Sequence, residues 1–93
     1  MIANSELVKP RSLLFTRPSM RIIKALAASE SELSISTISR RANVNHSCAS
    51  KTLDELAKSG LVCYRELGRM RLFRLNPLDR RAELLRELLS EPF

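Results

Sequence analysis

The chain is short of the residues that most chemistry needs. It holds a single histidine, His46, and two cysteines, Cys48 and Cys63, among 93 residues. Two lone thiols lack the CxxC spacing of a zinc or redox site and cannot make a disulfide framework, so both are expected as small half-buried side chains in a reducing compartment. No second histidine, Asp–His cluster, carboxylate pair or nucleophile motif accompanies His46, so no catalytic set and no metal or other cofactor site is expected. With no tryptophan, one tyrosine and three phenylalanines, a carbohydrate-type aromatic platform is not expected either. No run approaches the ~18 apolar residues of a membrane span, and the opening "MIANSELVKP" lacks the apolar core of a signal peptide. The expected setting is the cytoplasm, with no membrane partner. Internal repeats and low-complexity linkers are missing too.

What the chain does have is positive charge. Lysine and arginine number 16 against 10 acidic residues, a net charge of +6, and the isoelectric point is near 10.2. That balance favours a polyanion, nucleic acid or an anionic surface, without choosing between them. Nearly all of the excess lies between Arg40 and Leu75, where eight basic residues face Asp54, Glu55 and Glu66. At 44% apolar residues the composition is that of one globular domain, small enough that dimerisation would add needed stability.

Along the chain, Leu7, Val8, Leu13, Leu14 and Phe15 are too apolar for a free tail. Thr16 reads as a cap and Pro18 as an early helical position of "PSMRIIKALAAS", whose Met20, Ile22, Ile23, Leu26 and Ala27 form a helical stripe. "SESE" closes it. Leu33 to Ile35 alternates as a very short strand, and Ser36 is expected to cap a second helix, "TISRRA", with Ile38 and Ala42 inward. Asn43, tolerant of the left-handed conformation, ends it. Asn45 then caps a third helix, about 46–59, on Val44, Ala49, Leu53 and Leu56, and Gly60 stops it. The period next falls to two: "LVCYREL" and "MRLFRL" read as a hairpin joined by Gly68–Arg69. Asn76 and Pro77 are expected to open a last helix with the stripe Leu78, Ala82, Leu85 and Leu89, widened by Leu84 and Leu88. That stripe exceeds what so small a domain can cover, and it is expected to form a homodimer interface.

Helix, short strand, helix, tight turn, helix, basic hairpin, helix is the order of a winged helix-turn-helix, a mainly α fold with a small β-hairpin (α+β). A single domain over 1–93 is expected, with its core at 13–78 and terminal segments 1–12 and 77–93 given to dimerisation. The outward face of the third helix carries Asn45, His46, Ser47, Ser50 and Lys51. Short hydrogen-bonding side chains let a helix sit deep in a major groove and address base edges, and the helix N-terminus favours phosphate. The same face would also suit plain solvent exposure beside a cap. The hairpin tilts the balance: Arg69 and Arg71 crowd its tip, with Arg65 and Arg74 flanking, a pattern suited to phosphate or minor-groove contact. A ribbon kept soluble by charge is the plainer alternative.

These stretches resemble the ArsR-type winged-helix repressors, and more loosely the MarR type. The resemblance runs through "LLFTRPSMRIIKALA", "ELSISTISRRANVNHSCASKTLDELAKSGLV" and "RELGRMRLFRLNP", covering about Leu13 to Leu78. It implies a homodimeric regulator of transcription that binds double-stranded DNA, reads bases through His46, Ser47, Ser50 and Lys51 in a helix at about 46–59, and lays a wing at 62–75, with Arg69 and its neighbours, on the backbone or minor groove. It also implies dimerisation through N- and C-terminal helices. Metal-sensing members carry thiols where this chain has Ser34 and Ser36, and the last segment has no histidine, so the resemblance does not extend to metal sensing. Non-specific architectural DNA binding and a protein–protein module of the same fold are the alternatives. No residue names a small-molecule effector.

Overall fold

The computed structural model describes residues 17–90. Helix α1 (Arg17–Ala28) buries Ile22, Ile23, Leu26 and Ala27, the one-sided set that helical periodicity requires. Strand β1 (Leu33–Ser34) runs without a spacer into α2 (Ile35–Ala42). Helix α3 (His46–Lys58), strands β2 (Val62–Leu67) and β3 (Met70–Leu75), and helix α4 (Arg80–Ser90) follow. The sheet is antiparallel with the order β1-β3-β2. The core of the fold includes Ile22, Ile23, Leu26, Ile38, Leu53, Leu56, Phe73 and Leu75, side chains whose full burial stabilises by roughly 1.5–3 kcal/mol each. The expected packing of Leu7 to Phe15 and the expected Thr16 cap lie outside the described residues.

Two helix starts differ from the sequence expectation. The cap of α2 is Ser34 rather than Ser36: Ser34 Oγ accepts from Thr37 N at 3.3 Å and donates to Thr37 Oγ1 at 3.1 Å. Both serines are competent caps, and strand pairing decides between them. Leu33 and Ser34 are held opposite Phe73 and Leu72, so the chain leaves extended geometry at Ser34 and Ile35 is already helical.

The last helix begins at Arg80 rather than Pro77. Asn76 folds a local turn, accepting from Leu78 N on Oδ1 at 3.0 Å, while its own Nδ2 donates to Gly60 O at 2.9 Å. That side chain ties the exit of the hairpin to the exit of α3, and the cap role passes to Asp79, whose carboxylate accepts from Arg81 N at 2.8 Å. Leu78 is therefore off the helix and 94% exposed, and the expected stripe loses its first member.

Candidate nucleic-acid interface

The corner between α2 and α3 is built from three residues. Asn43 adopts the left-handed conformation (φ 58°, ψ 48°). Asn43 N donates to Arg40 O at 3.3 Å and Val44 N to Ser39 O at 3.1 Å, the paired closure of a Schellman motif. Ser39 Oγ also donates to Val44 O. Asn45 then caps α3, its Oδ1 accepting from Cys48 N at 2.7 Å. Both expectations for these asparagines hold, and the Asn45 carbonyl side is thereby committed to the fold.

This corner sets α3 with Ala49, Thr52, Leu53 and Leu56 inward. His46, Ser47 and Lys51 are exposed and Ser50 is half-buried. Together with Asp54, Glu55 and Lys58 they line one open, shallow groove. The first turn of α3 holds no acidic residue, so its partial positive end faces outward beside His46 and Ser47 without a local counter-charge.

The hairpin closes as expected on the Leu67↔Met70 pair, with Gly68 at φ 62° in the turn position that demands positive φ. Its arginines, however, do not form one array. Strand alternation and the register place Tyr64, Glu66, Arg71 and Phe73 on one face and Arg65, Leu67, Leu72 and Arg74 on the other. Arg71 turns inward, donating from Nη1 to Asp54 Oδ1 at 2.9 Å. Its guanidinium carbon lies 5.0 Å from the Tyr64 ring centroid and 5.2 Å from that of Phe73. The Asp54 hydrogen bond, more than Tyr64, raises the Arg71 pKa above its ordinary value, against the opposing cost of desolvation. Arg71 thus sits beside the wing tip as expected, but its guanidinium clamps the wing to α3 and is not an outward-facing cation. Arg65 points to the opposite face and bridges to Glu32 at 2.7 Å. Arg69, in the turn, is exposed and has no ion-pair partner among the described residues.

The set expected at a dimer interface is divided in the same way. Ala82 is buried in the chain's own core, and Leu85 and Leu89 pack partly against it. The outward apolar residues of α4 are instead Leu84, 52% exposed, and Leu88, 59% exposed. Cys48 and Cys63 are free and half-buried. Among the described residues no group of three or more His, Cys, Asp or Glu side chains could share a metal, and no helix is long and apolar enough to cross a membrane.

A further basic surface lies outside the recognition helix and the wing expected from the sequence. Arg21, Lys24, Ala25, Ala28, Arg41, Ala42 and Asn43 line a cleft between α1 and the end of α2. The signal was readable: neither "RPSMRIIKALAA" nor "ISTISRRA" contains an acidic residue.

A helix pair joined by a capped corner, a third packed helix behind it and an antiparallel hairpin beside it define a winged helix-turn-helix, in the form shared by ArsR- and MarR-type regulators. Solved structures agree. HlyU from Vibrio cholerae is 23% identical, with a TM-score of 0.72 over 94% of this chain and 90% of its own. The homodimeric winged helix-turn-helix DNA-binding domain of a possible ArsR-family regulator from Mycobacterium bovis is 21% identical, with a TM-score of 0.68 over 96% of this chain and 76% of its own. A MarR-family transcriptional regulator from Silicibacter pomeroyi is 28% identical with a TM-score of 0.70. The match covers 85% of this chain and 52% of that regulator, about half its length. No protein-family model matches the sequence. No curated protein matches it either.

Proposed function

We propose that this chain is a sequence-specific DNA-binding regulator of transcription, not an enzyme, that acts as a homodimer in the cytoplasm, on the nucleoid. The observation that carries the reading is the outward face of α3. His46, Ser47, Ser50 and Lys51 are presented beside a helix N-terminus, and their side chains make no hydrogen bond or ion pair among the described residues, so those donors and acceptors are available to base edges. The wing contributes Arg69 to the backbone or the minor groove. Leu84 and Leu88, one turn apart and both exposed, supply the apolar contact of the dimer, with Leu85 and Leu89 at its edge and the terminal segments completing it. The homodimeric Mycobacterium bovis domain supports that arrangement. A two-fold pair would place two α3 helices about 34–36 Å apart, one turn of DNA.

Selection of bound duplexes from a random pool tests this directly. Enrichment of an inverted repeat is the expected result. Binding without enrichment would replace the reading with non-specific architectural binding. Light scattering coupled to gel filtration tests the dimer: a concentration-independent monomer would remove it.

A further inference from the structure

We infer that the basic cleft between α1 and α2 is a second phosphate-contacting surface, which grips the DNA backbone flanking the bases that α3 addresses. The inference rests on the DNA-binding reading above and extends it to residues outside the recognition helix and the wing.

Arg17, Arg21 and Lys24 fall four and three residues apart on α1, so they share a face, and all are exposed. Arg40 and Arg41 stand exposed in the last turn of α2. Among the described residues none of these five cations has an ion-pair partner. Among the described residues, the cleft that Arg21, Lys24 and Arg41 line contains no acidic side chain. Helix energetics accounts for only part of this. Basic residues in the last turn of α2 complement its dipole. Arg17 and Arg21, in contrast, occupy the first half of α1, where positive charge opposes the dipole, and the last turn of α1 has no basic residue.

Position supplies the second argument. Arg21 Nη1 donates to Asn43 O at 3.3 Å, and Asn43 is the corner residue two positions before the α3 cap. The cleft therefore borders the N-terminal end of α3, where His46 and Ser47 are exposed. A strand whose bases lie against that end has its phosphates within reach of the cleft. The occupant that fits is a run of closely spaced phosphates, since two walls of cations with no counter-charge among the described residues match a backbone better than a single anion.

The test compares Arg21→Gln/Lys24→Gln/Arg41→Gln with the wild type on a generic duplex and on the best selected duplex, across a salt series. A second variant, Lys24→Gln/Arg41→Gln, leaves the Arg21–Asn43 bond in place, and thermal melts check that both remain folded. The expected result is loss of affinity by the same factor on both duplexes, with the slope of log K against log salt reduced by about 0.9 for each side chain removed per protomer. An unchanged slope in the two-residue variant overturns the inference, as does a changed ratio between the two duplexes. Unchanged DNA binding with lost binding to anionic phosphatidylserine vesicles overturns it in favour of a membrane-facing patch. Failure of the wild type to bind any duplex is a different result, and it removes the DNA-binding reading itself.

Discussion

The wing and the α1–α2 face are both rich in cations, yet they use them differently. In the hairpin, Arg65 is tied to Glu32 and Arg71 to Asp54, which leaves Arg69 at the tip and Arg74 among its arginines without an ion pair among the described residues. On the α1–α2 face, Arg17, Arg21, Lys24, Arg40 and Arg41 are all without one among the described residues. Charge counted along a sequence is therefore a poor guide to charge offered to a partner. The segment with most of the net excess, Arg40 to Leu75, spends part of it on internal structure. The helix that opens the described fold spends none on ion pairs among the described residues.

Substitutions can break or sharpen that contrast. The largest effect is expected from Phe73→Ala, which removes a fully buried ring that also underlies Arg71. Loss of about 3–5 kcal/mol is expected, read by urea unfolding, because the base of the wing is core even though its tip is not.

Next come His46→Ala and Lys51→Ala. Each should cost roughly 1–3 kcal/mol of discrimination between selected and scrambled duplexes, whereas Arg69→Ala should weaken both alike. Equal losses for all three would show that α3 is not the reading element.

Asp79→Ala should lower stability by about 0.5–2 kcal/mol through loss of the α4 cap, with little change in DNA affinity. The same group gives a pH dependence. Its hydrogen bond with Arg81 holds the Asp79 carboxyl below the ordinary carboxylate range. A depressed carboxyl contributes stability above its unfolded pKa and loses it as pH falls through the folded one. The melting temperature of the wild type should therefore fall more steeply in acid than that of Asp79→Ala.

The smallest effect on folding is expected for Asp54→Ala. It breaks a half-exposed pair worth at most about 1 kcal/mol. Its effect on binding carries the opposite sign from the other charge changes. Arg71 is released, so affinity for a generic duplex should rise and the salt slope should steepen by about 0.9 per protomer. No change in slope would mean that the two rings, and not Asp54, hold the guanidinium.

What could be read in advance follows the range of the forces involved. Asn43, Asn45, Gly60 and Gly68 act on their immediate neighbours, through a left-handed backbone or a hydrogen bond to a residue three positions on, and their roles were visible in the sequence. Ser34 and Ser36 were equally good caps until pairing with Phe73 and Leu72 chose between them. Asn76 looked like a cap because its bond to Gly60 crosses sixteen residues. Arg71 looked like a wing-tip cation for the same reason: Asp54 is seventeen residues away. Leu84 and Leu85 are adjacent letters in one stripe, and only the packing of α4 on the core separates the outward one from the inward one. The family pattern conveyed the architecture, including the corner and the hairpin, but pairing between distant side chains is written in no local pattern.

The corner at Asn43–Asn45 also bears on how this protein can change. Both helices are closed there by bonds that involve the corner itself, and His46, Ser47, Ser50 and Lys51 take no part in them. The outward face of α3 is accordingly separable from the scaffold. A library randomised at those four positions should consist mainly of folded proteins, and on the proposed function its members should differ in the DNA they prefer. The same freedom ends at Asp54, one turn further on, where a change of letter would also unlatch the wing.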